Sequence, residues 1–151
     1  MAPPRPAPAG PGPGPVRRLP RDSCWHLLAA TPVGRVAYVE SGGPVVLPVS
    51  HVVRDGAIWW RTATWTGLAV HLHGWRVAFE ADELDAPTRS GWSVLARGGL
   101  EHVRTGAEPE PAGGWPTPVP WPDDRRRMLF RLVPDELTGR AFGSWPGSPT
   151  A

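Results

Sequence analysis

Hydrophobic and polar residues alternate over much of this chain, and the alternation predicts a protein built mainly from β-strands. The clearest stretch is 45–62, VVLPVSHVVRDGAIWWRT, in which strand-like residues run up to Asp55-Gly56 and continue away from it. An Asp-Gly pair between two such runs is a strong signal for a tight β-hairpin. Further strands are predicted for GRVAYV at 34–39 and WRVAFE at 75–80.

Strand-like segments continue to the end of the chain. Residues 92–97 and 100–104 form either two strands or one long strand kinked by a glycine bulge at Gly98-Gly99. The last two predicted strands lie on either side of a Pro-Asp pair, at 128–133 and 137–142. Six or seven short, mostly antiparallel strands close into a barrel or a sandwich, and periodicity does not choose between them.

Two segments have helical spacing. Residues 22–31 place Cys24 and Leu28 on one face, with Asp22 or Ser23 as the predicted cap. A second short helix is predicted within 66–73. Polar loops with turn residues are predicted at 81–91 and 106–122.

Composition divides the 151 residues into one domain and two tails. Residues 1–18 alternate Pro with Ala and Gly, which buries little apolar surface and predicts a disordered tail. Residues 19–143 are long enough for one domain with a hydrophobic core. Residues 144–151 are predicted to be a flexible tail.

Charge and cysteine content restrict the possible functions. The 16 basic residues are all Arg, and with 14 acidic residues the net charge is only +2, so the sequence does not predict nucleic-acid binding. A lone cysteine, Cys24, forms no intramolecular disulfide, and no apolar run has the length of a membrane span. We therefore expect a soluble, cytoplasmic protein. His71 and His73 lack further metal-binding side chains nearby, and no metal site is predicted.

Several motifs occur in an order that resembles a known family. They are CWHLL, GRVAYV, PVSHVV followed by Asp-Gly and Arg-Thr, VAFEAD, GWSVLARGGLEHV and RLVPDELTGR. Over roughly residues 19–142, the chain is similar to the flavin-binding split-barrel proteins of the pyridoxamine 5'-phosphate oxidase-like superfamily, in particular to small members common in high-GC actinobacteria. The resemblance implies a split β-barrel of six to seven antiparallel strands with short helices. It also implies a homodimer with two cofactor sites at the subunit interface.

The resemblance assigns a phosphate site to the end of the hairpin. The resemblance implies that Arg61 and Thr62 hold the phosphate of a flavin. From the residues alone, the hydroxyls of Thr64 and Thr66, which follow them, are candidates for the same phosphate. A guanidinium and a hydroxyl suit this task because together they can satisfy two phosphate oxygens. Many relatives have a Lys where this chain has Gly67, and Arg76 or an Arg of the partner subunit is a candidate substitute.

The resemblance also assigns contacts with the flavin ring. It places Pro48, Val49, Ser50 and His51 on the strand along the isoalloxazine, and Trp92 beside the cofactor. His51 fits a half-buried structural histidine equally well. The alternative for Trp92 is a position in the core or interface.

The chain is thus predicted to use FMN, or the deazaflavin coenzyme, to move a hydride to or from a small conjugated substrate. The rival is an inactive split-barrel module that binds haem or another planar ligand. Arg140 points toward the site or pairs with an acid such as Glu80.

Overall fold

The computed structural model describes residues 14–63, 75–103 and 127–143, which form one helix and seven strands. In chain order the elements are β1 (Arg17–Arg18), α1 (Arg21–Ala30), β2 (Val33–Glu40), β3 (Gly43–Arg54), β4 (Ala57–Ala63), β5 (Arg76–Asp85), β6 (Ser90–Val103) and β7 (Arg127–Phe142). All strand pairings are antiparallel. The predicted mainly β architecture is confirmed.

The predicted hairpin is formed by β3 and β4. Asp55 and Gly56 have φ angles of 50° and 70°, as a tight turn of type I′ requires at both central positions. The flanking residues Arg54 and Ala57 are paired, and the register continues to His51↔Trp60.

The sheet closes on itself. Its order is β1-β7-β4-β3-β2-β5-β6, and β6 also pairs with β7, so six strands form a ring and β1 is added at one edge. The first half of β7 pairs with β4, from Arg127 to Leu132, and its end pairs with β1 at Arg140 and Ala141. Between these two neighbours β7 has no strand partner on this side among the described residues, and Leu19 and Cys24 lie against it at Gly139.

Alternation places one face of each strand inside the barrel. The inner residues form a single apolar cluster that includes Val36, Trp60, Phe79, Val94 and Leu132. Helix α1 packs against this cluster through residues that are fully buried, Cys24 and Leu28. The helix begins two or three residues earlier than predicted, because Pro20, rather than Asp22 or Ser23, is the N-cap residue, and it ends one residue earlier, at Ala30.

Two strands are longer than predicted. β7 runs without interruption through Pro134, which pairs with Gly98 where the register with β6 shifts. A proline is tolerated there because a bulge does not need its missing N–H. β5 continues through the polar stretch to Asp85, since cross-strand pairing with β6 up to Ser90 holds it extended.

β6 is one strand with its irregularity between Arg97 and Gly98, which is the second of the two alternatives derived from the sequence. Arg17–Arg18, at the end of the predicted tail, pair with β7. The rest of the predicted tails, the helix within 66–73 and the loop at 106–122 lie outside the described residues. No helix in the described part of the chain has the length and apolar character needed to cross a membrane.

Candidate functional site

The most distinctive feature of the barrel is a fork between β3 and β4. Their pairing ends at His51↔Trp60. Beyond that pair, β3 is joined to β2 through Val33↔Ser50, while β4 is joined to β7 through Arg61↔Leu129. We use "fork" for the diverging segments Pro48–Ser50 and Arg61–Ala63. Had the register continued, Ser50 would face Arg61, so two of the predicted site residues lie on opposite arms of the fork.

Main-chain groups of β3 point into this fork. The His51 N–H donates to the Pro32 carbonyl at 3.2 Å, so the main chain of His51 faces β2. Main-chain groups of successive strand residues face opposite neighbours, and those of Ser50 therefore face the side from which β4 has departed. The Ser50 N–H and C=O thus offer one donor and one acceptor to a ligand between the arms.

The predicted site residues divide between the two faces of the sheet. Val49 and His51 are buried in the barrel. Thr62 follows the inward-facing Trp60 by two residues, so it lies on the same face, where it is partly buried. Ser50 and Arg61 are on the outer face. The residues of this outer set are Pro48, Ser50 and Arg61, and those of the inner set are Val49, His51 and Thr62.

This division bears on the predicted phosphate site. Adjacent residues of a strand point to opposite faces, and β4 extends through both Arg61 and Thr62. Arg61 alternates with Trp59, whereas Thr62 alternates with Trp60. The side chains of Arg61 and Thr62 therefore leave β4 on opposite faces, and a joint contact of the two with one phosphate stays a prediction. Arg61 is the member of the pair that faces outward beside the fork.

A small apolar cluster lies next to Arg61 on the outer face. It contains Trp59 and Leu129, with Val52 and Val103 packed against it. Trp59 is 5% exposed, and its indole Nε1 donates to the Arg54 carbonyl at 3.3 Å. The prediction that Trp59 and Trp60 face opposite sides is confirmed.

Arg131 covers this cluster. Its guanidinium carbon lies 5.4 Å from the centroid of the Trp59 ring, and the same guanidinium is paired with Glu101. Sequence reasoning did not assign either residue to the site. No short sequence pattern indicates this contact, because Arg131 meets Trp59 only through the pairing of β4 with β7.

His51 is held inside the barrel. Its Nε2 donates to the carbonyl of Leu28 at 2.8 Å, and its ring meets Phe79 edge-on at a centroid distance of 4.8 Å. Burial lowers the pKa of His51 and outweighs the opposing effect of the Leu28 hydrogen bond, so the ring is neutral near pH 7. The structure therefore gives His51 a clear structural contact between β3 and α1.

Trp92 belongs to the main core. Its side chain is 1% exposed, and it is paired with Ala141 near the end of β7. Arg61 is paired with Leu129 at the other end of the same strand. Within one chain, Trp92 and Arg61 are thus at opposite ends of β7.

The remaining candidates are engaged elsewhere or are not described. Arg76 pairs with Asp135 through two hydrogen bonds, away from the fork. Arg140 donates to Ser93 at 3.2 Å rather than pairing with Glu80. Thr66 and Gly67 lie outside the described residues. Among the residues that are described, no three His, Cys, Asp or Glu side chains are grouped to hold a metal ion.

Comparison with known proteins gives consistent matches over most of the chain. A family model described as pyridoxamine 5'-phosphate oxidase matches residues 20–141. The uncharacterised protein Rv0080 of Mycobacterium tuberculosis is 32% identical over 130 residues, which are 82% of this chain and 84% of that protein.

Two solved structures are similar in both sequence and fold. One is the crystal structure of a candidate pyridoxamine 5'-phosphate oxidase from Corynebacterium glutamicum, with 33% identity, a TM-score of 0.70 and coverage of 85% of this chain and 94% of that chain. The other is an FAD-binding protein from Mycobacterium smegmatis, with 28% identity, a TM-score of 0.64 and coverage of 84% and 98%.

Proposed function

The chain belongs to the pyridoxamine 5'-phosphate oxidase family, and from that premise we propose that it binds a flavin against the outer face of the fork. The observation that carries the proposal is the divergence of β3 and β4 after His51↔Trp60. It leaves main-chain groups of Ser50 and the side chain of Arg61 on opposite arms of one opening. The FAD-binding protein from M. smegmatis, which has a similar fold and 28% identity, supports a flavin as the ligand.

Arg61 is the proposed phosphate ligand. Its side chain is half-buried on the outer face, where its preceding strand neighbour on that face is Trp59. A guanidinium binds phosphate through two parallel N–H···O bonds, and partial burial strengthens these bonds relative to bulk water. Thr62 and Thr66 remain predicted contacts, Thr62 from the family resemblance and Thr66 from the sequence alone.

The arm formed by Pro48 and Ser50 is proposed to lie along the isoalloxazine ring. The polar edge of a flavin carries both donors and acceptors, and the Ser50 N–H and C=O offer the complementary pair. Val49 and His51 would support this arm from inside the barrel, because both are buried and His51 is fixed on Leu28. A stacking contact of Trp92 is not part of this proposal, since its ring is enclosed by the core.

We propose FMN as the cofactor, with the deazaflavin coenzyme as the alternative. When bound, the flavin would supply the hydride chemistry toward a small conjugated substrate, and the protein would orient both. A homodimer remains the prediction of the family resemblance, in which two chains together enclose each cofactor.

The test is a titration of the purified protein with FMN and, separately, with riboflavin, which lacks the phosphate. Arg61→Ala removes a charge-assisted hydrogen bond of about 1.5–3 kcal/mol, so FMN affinity should fall by roughly tenfold to a hundredfold. Riboflavin affinity should stay within about twofold. Arg97→Ala is the matched control, because Arg97 is an exposed arginine on β6 that pairs with Glu136.

Saturable binding of FMN by the native chain and its selective loss in Arg61→Ala would support the proposal. Equal weakening of FMN and riboflavin would reject the phosphate role of Arg61. Absence of binding to FMN, riboflavin and the deazaflavin coenzyme would reject the flavin proposal itself. Haem titration then tests the rival binding module, for which Gly67 in the register of the family Lys is the supporting observation.

A further inference from the structure

Polar atoms of two side chains at the closed end of the fork have no hydrogen-bond partner among the described residues. They are Nδ1 of His51 and Nε1 of Trp60. The two residues are 5% and 0% exposed, so bulk water does not reach these atoms. Buried polar atoms in folded proteins nearly always have a partner, and each exception calls for an explanation.

The two side chains lie side by side at the closed end of the fork. His51 and Trp60 are directly paired across β3 and β4. Because the His51 N–H points to Pro32 on the other side, this is a pair that does not exchange main-chain hydrogen bonds. Side chains of such pairs are the closer ones in an antiparallel ladder. Both rings also contact Phe79, with centroid distances of 4.8 Å and 6.0 Å.

The two atoms have opposite hydrogen-bonding character. A carbonyl oxygen can only accept, so the contact between Nε2 of His51 and the Leu28 carbonyl places the ring proton on Nε2. Nδ1 of the neutral ring is then a bare acceptor. Nε1 of Trp60 carries a hydrogen and can only donate. One cross-strand pair therefore carries both a buried donor and a buried acceptor without a partner among the described residues.

Few ligands satisfy both atoms. A cation would be repelled by the Trp60 N–H, and an anion would be repelled by the lone pair of Nδ1. A molecule that both accepts and donates is required, and the two atoms do not bond to each other directly. We propose that one buried water molecule accepts a hydrogen bond from Trp60 Nε1 and donates one to His51 Nδ1.

The proposed water would lie where the pairing of β3 with β4 ends. The main-chain ladder between β3 and β4 ends at this pair, and the next pair in register, Ser50 and Arg61, has separated. A water held between His51 and Trp60 links the two strands through their side chains on the inner face. It thereby fixes the point from which the two arms of the fork diverge, whether or not a flavin binds between them.

The test is nuclear magnetic resonance on the full-length protein. The indole N–H of Trp60, identified by its disappearance in Trp60→Phe, should show cross-relaxation with a long-lived water. Trp59 provides the matched control, because it is the next residue and its indole N–H donates to the Arg54 carbonyl. We expect the water signal at Trp60 and none at Trp59.

A second measurement uses the unmodified chain and does not depend on a variant that folds. Nitrogen-15 shifts of the His51 ring should show a protonated Nε2 and an unprotonated, hydrogen-bonded Nδ1. A water-free Trp60 indole, including one bonded directly to His51, would overturn the proposal. A proton on Nδ1 at neutral pH would do the same, since the ring could no longer accept from water.

Discussion

The β5–β6–β7 wall and the β3–β4 fork of this barrel are both antiparallel, but their pairing differs in extent. β6 is paired with β5 from Ser90 to Gly99 and with β7 from Gly91 to Val103. β3 and β4 are paired only over the four residues on each side of the turn, from Arg54↔Ala57 to His51↔Trp60. The wall therefore has main-chain partners on both sides of its central strand, whereas the fork leaves strand edges that can bind a ligand.

The same difference appears in the side chains. The inner face of the wall is continuous with the main core, through Trp92, Val94, Ala96 and Leu100. The outer face of the fork carries an arginine and a small separate cluster around Trp59. We infer that the wall supplies stability and that the fork supplies recognition. The following predictions test that separation, beginning with the largest effect.

Hydrogen exchange should differ most strongly between the two regions. The Ser50 amide points into the fork, where β4 no longer pairs with β3, and it should exchange through local motion in the flavin-free protein. The Val94 amide lies in the middle of β6, between β5 and β7, and should exchange only on global unfolding. For a domain stable by at least about 5 kcal/mol, protection should differ by roughly a thousandfold or more. Similar protection at both amides would contradict the comparison.

Truncation of Trp92 should strongly destabilise the wall. The side chain is enclosed by the core, and Trp92→Ala leaves a large cavity that we expect to lower the free energy of unfolding by about 3–5 kcal/mol. Urea denaturation measures this change. The flavin affinity of the fraction that remains folded should stay within a few-fold of the native value. A collapse of flavin affinity with little loss of stability would instead favour the cofactor contact predicted from sequence.

The sequence predicted some elements of this fold correctly and others wrongly. Local signals were sufficient for the hairpin, because Asp55-Gly56 specifies its turn, and for α1, whose apolar spacing is short-range. Pro134 and the polar end of β5 were misinterpreted as interruptions. In both cases pairing with β6 overrides the local preference, and that pairing joins residues far apart in the chain.

The candidate site was harder to predict for a related reason. Arg61 and Ser50 are eleven positions apart, and their placement on two arms follows from where the β3–β4 ladder stops, which no motif encodes. Arg61 and Thr62 are adjacent in the sequence, yet the strand sends them to opposite faces. Sequence similarity pointed to this segment of the chain but not to the direction of each side chain.

Two adjacent glycines in β6 offer a sharper test of the wall. A Cβ at Gly98 would lie 2.5 Å from the Val133 carbonyl oxygen, which belongs to the backbone of β7 and cannot move without disturbing the ladder. A Cβ at Gly99 would meet nothing within 4 Å. We expect Gly98→Ala to destabilise the protein by about 1–3 kcal/mol and Gly99→Ala to change stability by less than about 0.5 kcal/mol. Equal effects in thermal denaturation would show that the register shift is not tightly packed.

The smallest predicted effect is the pH dependence contributed by His51 at the closed end of the fork. Burial lowers the pKa of the folded ring, whereas in the unfolded chain the ring takes up a proton near about pH 6.5. Between these two pKa values the unfolded state binds more protons, so the free energy of unfolding should fall as pH decreases below about 6.5. One such group contributes at most about 1.4 kcal/mol per pH unit. Urea denaturation across this range should show a shallower decline for His51→Gln than for the native chain, and identical slopes would mean that His51 is protonated in the folded barrel as readily as in the unfolded chain.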